Sequence, residues 1–193
     1  MLEPDADLDG ETLTGSWVGA RAERATLHEC RVEDGDLTGL RAAHSRWIGC
    51  TWTRVHGTDL DLSGSVWSEF TITDARLGAV ALYGAQLRSG LVSGGKVDFL
   101  NLRGAALADV SFEGAVLTEP DFAEARLTRV SFEGCRLVAP DFSRVVAKDL
   151  DLTGARIEAP VGLASLRGAT VSRLQLFDFA ADLAAQLGIR VVG

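Results

Sequence analysis

Reading every fifth residue from Ala22 to Ile157 gives a nearly unbroken apolar series, running through Leu27, Val32, Leu37, Trp47, Trp52, Trp67, Phe112, Phe122, Phe132 and Phe142. Twenty-seven of these twenty-eight positions are apolar, Gly57 being the exception. Two residues before each central residue the side chain is usually small or apolar, as at Ala25, Cys30, Ser65, Ala105, Ala125 and Cys135. The other three positions of each five are mostly polar, charged or glycine. A helix cannot keep a period of five on one face. An extended strand can point residues i and i−2 inward, turn a corner and begin again. Glycine stands at i+2 nine times (Gly39, Gly49, Gly64, Gly84, Gly94, Gly104, Gly114, Gly134, Gly154), where a corner can require positive φ.

A longer repeat overlies the short one. VSFEGAVLTEPDF (110–122) returns as VSFEGCRLVAPDF (130–142), and nine of the twenty positions from Val110 to Arg129 recur in Val130 to Asp149. Self-similarity at fixed period marks a solenoid. Five residues make one side, and twenty make a four-sided coil. Leu8 and Leu13 are one residue out of phase with the later series, so a residue is lost before Ala22, and either Trp17 or Val18 takes the central place there.

The repeats ADLDG (6–10), VDFLNLRGAAL (97–107), PDFAEARL (120–127) and KDLDLTGARI (148–157) resemble those of the pentapeptide-repeat proteins, with their loose consensus A(D/N)LXX. The resemblance covers roughly residues 5–160. It implies an all-β solenoid, a right-handed quadrilateral β-helix, here spanning residues 1–170 and followed by a C-terminal helix and tail over 171–193. The uninterrupted register from Ala22 to Ile157 leaves no inserted loop and is most like the loopless actinobacterial-type members of the quinolone-resistance, gyrase-interacting branch.

The tail obeys a different period. In VSRLQLFDFAADLAAQLGI (171–189), Ser172 with Gln175 forms a capping box, Val171 with Leu176 a hydrophobic staple, and Gly188 supplies the stop, which predicts a helix over about 173–187. Leu176, Ala180, Leu183 and Leu187 fall on one stripe, flanked by Phe177 and Phe179. That apolar arc is roughly 200° wide, against the ~100° that covers a single core. These six residues are therefore candidates for a dimer interface, as the resemblance implies, with simple capping of the last coil as the alternative.

Composition narrows the chemistry. The 193 residues suit one domain, and 47% hydrophobic content can fill a core. The N-terminus MLEPDADLDGETL lacks a basic, apolar signal, and no run of eighteen apolar residues exists, so the expectation is a cytoplasmic protein without a membrane span. All three cysteines occupy inward i−2 positions. Cys30 and Cys50 would stack about 4.8 Å apart, within disulfide range by Cα distance, but parallel inward side chains do not converge, and buried free thiols are expected. GLVSGGKV (90–97) nearly matches the phosphate-cradling G-x-x-x-x-G-K-[ST] but ends in Val97, an in-frame central residue with no helix after it. His28, His44 and His56 fall on three different sides and do not converge on a metal. No nucleophile has a recognisable base beside it. No catalytic, cofactor or metal site is assigned, and the chain reads as a non-enzyme.

Charge is the more informative feature. The formal net charge is −8, and Met1–Gly19 carries five acids and no base, Asp5, Asp7 and Asp9 among them. Residues 20–159 carry twenty acids against sixteen bases. The side centred on Val32, Trp52, Ile72, Val92, Phe112, Phe132 and Leu152 accounts for that whole net −4: Glu33, Asp34, Asp74, Glu113, Glu133 and Asp151 face only Arg31 and Arg54. The resemblance implies a DNA-mimicking rod that binds and modulates DNA gyrase or a related type II topoisomerase, with the acidic side and the N-terminal acids as its contacts and no nucleic-acid binding of its own. Seven coils at about 4.8 Å make a rod of roughly 34 Å. Duplex DNA carries on the order of twenty charges over that length, so shape and the acidic N-terminal end must supply what net −4 does not. The alternative is a rigid scaffold for an unrelated protein partner.

Overall fold

The computed structural model describes residues 2–192; Met1 and Gly193, the outer bounds of the two expected segments, lie outside the described residues. The chain winds into a β-solenoid of about eight turns closed by one C-terminal helix. Every strand pairing is parallel, and within Arg31–Glu158 each strand residue lies over the one twenty before it: Trp67 on Trp47, Trp52 on Val32, Val97 on Leu77, Phe132 on Phe112. The four sides are centred on Leu27 and Trp47, on Val32 and Trp52, on Leu37 and Leu77, and on Ala42 and Leu62. We call them the first to fourth sides in that order. Through the middle of the rod the first and second sides fuse into eight-residue strands, Gln86–Ser93, Ala106–Glu113 and Arg126–Glu133. The fourth side is held by the short strands Leu60–Asp61, Val80–Ala81 and Leu100–Asn101 and by single bridges such as Asp121↔Asp141.

Corners turn at i+2. From Arg24 to Ala159 every fifth residue has positive φ except Ala79 and Gly154, so Gly154 departs from the expected corner role. Most of these left-handed residues are not glycine; Arg24, Asp34, Glu69, Phe99 and Arg129 are examples. Such a conformation costs an L-residue roughly 1–2 kcal/mol. It is held because the corner N–H donates to a carbonyl in the next coil, as Arg24 does to Ala43 at 3.0 Å and Arg54 to Thr73 at 2.9 Å.

The core is a set of stacked columns. The Trp47 and Trp67 rings stack at 4.9 Å, and Trp52 meets both edge-on. Serine in the i−2 slot supplies their acceptors: the Trp47 indole N–H donates to Ser45 Oγ and that of Trp67 to Ser65 Oγ, at 2.8 and 2.9 Å. Phe112 stacks on Phe132 at 4.8 Å and Phe122 on Phe142 at 5.4 Å, each such pair contributing about 0.5–1.5 kcal/mol beyond burial. Gly57 is the exception in the apolar series because the backbone of the coil below is too close. A Cβ there would stand 2.7 Å from the Thr38 nitrogen.

The N-terminal frame is resolved. Leu8 pairs with Leu27 and Leu13 with Val32, nineteen residues apart, and the register shifts between Thr14 and Ser16 so that Ser16 pairs with Asp36. The dropped residue therefore lies on the side around Gly15. Trp17 packs against the core, whereas Val18 is 58% exposed, so Trp17 is the central residue.

At the other end, Ala169–Thr170 is the last strand, and the helix spans Arg173–Gln186, with the expected capping box formed by Ser172 and Gln175. Gly188 has φ 72° just past it. No helix among the described residues is long and apolar enough to cross a membrane.

Candidate functional site

The six acidic residues of the second side do lie on one face, but they are not equivalent. Corner positions i and i+20 stand side by side in successive coils, and an arginine there reaches the acid below it. Arg54 donates two hydrogen bonds of 2.7 Å to the Asp34 carboxylate and holds it below the usual carboxylate range. Asp34 is thus an ion-paired member of the expected acidic face, still exposed at its corner. Asp5 at the N-terminal end is ion-paired in the same way, with Arg24 across the first coil, which lowers its pKa.

Asp9 lies 3.3 Å from His28, while Asp7 is exposed with no ion pair among the described residues. Asp74 is exposed at the corner below Gly94. Asp151 accepts from the Thr153 N–H and hydroxyl at 2.8 and 2.7 Å. Glu33 leads a column that continues through Thr53, Thr73 and Ser93 to Glu113 and Glu133. The Glu33 column is therefore interrupted by neutral hydroxyl residues, with Asp74 at the corner beside Thr73. Glu113 and Glu133 are the pair to note: exposed, in adjacent strands, and without an ion-pair partner among the described residues.

The same stacking neutralises two other corners, Arg129 with Asp109 and Arg144 with Glu124, while arginines beside central residues reach diagonally, Arg41 to Asp59 and Arg136 to Glu158. In each case a hydrogen bond from the guanidinium is the main cause of a lowered carboxyl pKa. Alternating acid and base at corner positions one coil apart is a signal the sequence carries, and sorting charges by side alone does not show it.

The C-terminal helix divides its apolar residues between two surfaces. Phe179 and Ala184 are buried with Gln175 against the end of the solenoid. Phe179 is thereby removed from the expected dimer face, because its ring is part of the chain's own cap. Leu176 and Phe177 remain 52% and 72% exposed, Ala180 is exposed and Leu183 half-buried. Leu187 is exposed at the C-cap, and Leu174 adds to this outward surface. Gln175 donates through Nε2 to the Leu152 and Ala155 carbonyls.

All three thiols are free and buried; desolvation pushes Cys50 up to about 11, and Cys30 and Cys135 upward from the same cause. GLVSGGKV is strand, corner and strand, and Lys96 Nζ lies 3.1 Å from Asp98. Among the described residues no group of His, Cys, Asp and Glu side chains could hold a metal ion. Two exposed aromatics, Tyr83 and the left-handed corner residue Phe99, lie outside any face singled out by charge.

The family model for Pentapeptide repeats matches residues 100–134 in eight copies. Among solved structures, the chain is similar to trypsin-treated QnrB1, a plasmid-mediated fluoroquinolone resistance protein, at 19% identity over 98% of this chain and 100% of that one, with a TM-score of 0.45. Full-length QnrB1 aligns at 13% identity over 95% and 100%, with a TM-score of 0.32. HetL, a pentapeptide repeat protein involved in heterocyst differentiation regulation from the cyanobacterium Nostoc sp. strain PCC 7120, aligns at 19% identity over 86% of each chain, with a TM-score of 0.32. A comparison with curated proteins finds no match.

Proposed function

We propose that this pentapeptide-repeat solenoid is a non-enzymatic interaction protein that docks on DNA gyrase or a related type II topoisomerase in place of duplex DNA. The observation that carries the reading is the pair Glu113 and Glu133, exposed and unpaired on a flat, rigid side, with Asp151 in the next coil. Asp74 and Glu33 extend this acidity toward the N-terminus, where Asp7 adds to it. Apolar columns occupy the interior apart from a small apolar void, and the polar groove among Arg54, His56, Asp74 and Arg76 is lined, among the described residues, by no Ser, Thr or Cys nucleophile. In this reading a second copy covers Leu174, Leu176, Phe177 and Leu187 and joins two rods end to end. Light scattering of the full chain against Phe177→Asp tests that part, and a monomeric full chain at micromolar concentration removes it.

The deciding assay is supercoiling by purified gyrase, with and without a quinolone, at low and moderate salt. Mimicry predicts inhibition or protection that weakens as salt rises, since opposite charges attract. Replacing Glu113, Glu133 and Asp151 together by Lys abolishes the effect, whereas the same change at Glu29, Glu69 and Glu119, on other corners, leaves it largely intact. The second reading, a rigid scaffold for another protein, is favoured by the ion pairs that neutralise Asp34, Asp59 and Asp109. Loss of effect from both triple variants alike, or no effect of the wild type at micromolar protein, leaves that scaffold reading standing.

A further inference from the structure

The aromatic columns lapse in the middle of the rod. On the second side the central residues run Trp52, Ile72, Val92, Phe112, and on the fourth side Leu62, Leu82, Leu102, Phe122. Two i−2 positions at the same level are glycine, but their slots are filled by neighbours, that of Gly90 by the Phe70 ring and that of Gly95 by the Ala75 carbonyl oxygen. The lapse of the columns leaves a cavity of about 60 Å³, lined by Trp67, Phe70, Ile72, Leu82, Val92 and Phe112 among other apolar side chains. Ile72, Leu82 and Val92 point inward in register with fully buried neighbours yet are only half-buried, because part of their surface faces this void.

The lining decides what can enter. A buried water needs two to four polar partners, and the walls are almost wholly apolar. The indole nitrogen of Trp52, a lining residue, has no partner but also essentially no accessible surface to offer one. The cavity is less than half the size of one of about 150 Å³ that stays dry and binds benzene or xenon. We propose that the interior between Trp67 and Phe112 is a dry binding site for a nonpolar, uncharged molecule smaller than benzene: a noble-gas atom, a diatomic gas or a hydrocarbon of two or three carbons. Gly94 and Gly95, both left-handed, form the corner at the level of the cavity. Gly94 lines the cavity, and Gly95 lines the surface groove outside it, among Arg54, His56, Asp74 and Arg76.

Xenon tests this on the full chain, by diffraction from xenon-pressurised crystals and by xenon NMR in solution. The expected result is one interior site beside Val92 and Leu82. Val92→Leu fills the void from the second side and lowers xenon occupancy several-fold while the circular dichroism spectrum is unchanged. If that variant does not fold, Ala75→Val fills the void from another wall and serves the same purpose. The proposal is overturned if the wild type takes up no xenon at this level of the rod, or if a folded filling variant binds it equally well.

Discussion

Gln175 offers a test of how the solenoid ends. In each interior coil the i−2 carbonyl accepts from the backbone N–H twenty-one residues on: Arg46 to Ala25, Arg126 to Ala105, Arg156 to Cys135, at 2.8 Å each. Ala155 has no next coil above it, and the side-chain amide of Gln175 takes the missing donor's place at 2.7 Å. The same side chain accepts the Ser172 N–H at 2.7 Å through Oε1 and is 7% exposed. Replacing it by Leu keeps bulk but leaves a buried carbonyl without its donor, at about 1–3 kcal/mol, and removes half of the capping box, at roughly 0.5–1 kcal/mol. A total of about 1.5–4 kcal/mol corresponds to a fall of roughly 3–16 °C if the chain melts cooperatively. Because neighbouring coils couple only locally, hydrogen exchange should show the loss first between residues 150 and 186. Gln175→Glu should be worse than Leu, since it sets a carboxylate against two carbonyl oxygens. A Leu variant that melts within 1 °C of wild type with unchanged protection of the helix refutes the argument.

Other consequences are as sharp. Phe132→Ala removes a 1%-exposed ring stacked on Phe112 and should cost about 3–5 kcal/mol in urea unfolding; a loss below ~1 kcal/mol contradicts the column. Ala139 has φ 51°, so Ala139→Gly should raise the melting temperature, against the usual preference for Ala, by relieving roughly 1 kcal/mol of left-handed strain. Guanidinium hydrogen bonds lower the pKa of Asp34, Asp59, Asp109 and Glu124 in the native state, so their stabilisation is present above the ordinary carboxylate pKa and is lost as pH falls through the lower native values. Melts should therefore be flat from about pH 5 to 8 and decline below about pH 4, by a small amount that 0.5 M salt reduces further, since all four acids are exposed.

The period of five was enough to find the coil, its four sides and the inward columns, because burial along an extended chain forces alternation wherever one face is covered. The capping box at Ser172 was legible for the same reason: it is local chemistry. What the one-dimensional pattern hid is neighbourhood across coils. Trp17 over Val18 is decided by where Gly15 lets the register slip. Phe179 faces inward while Phe177 does not, because the axis of the docked helix sets which part of a wide apolar arc meets the rod. The cavity exists because Ile72, Leu82 and Val92, smaller than the aromatic rings at equivalent places in other coils, coincide at one level, although each is ordinary in its own repeat.

Vertical neighbourhood also says where to look for function. In a solenoid, position i meets i+20 one strand spacing away, about 4.8 Å, so like charges at equivalent positions repel and opposite charges attract along the whole rod. The chain follows this rule at Asp34 with Arg54, Asp109 with Arg129 and Glu124 with Arg144. Where like charges do stack, a counter-charge is usually at hand: Arg136 and Arg156 share Glu158, and Asp121, stacked under Asp141, is met by Arg103. Glu113 over Glu133 breaks the rule with no cation within ion-pair distance among the described residues. Stability alone would favour a neutral or basic residue at one of the two, as Ser93 stands below them. Under the proposed docking, a basic surface on the partner would relieve that repulsion, so Glu113→Gln should stabilise the free chain while weakening the effect on gyrase.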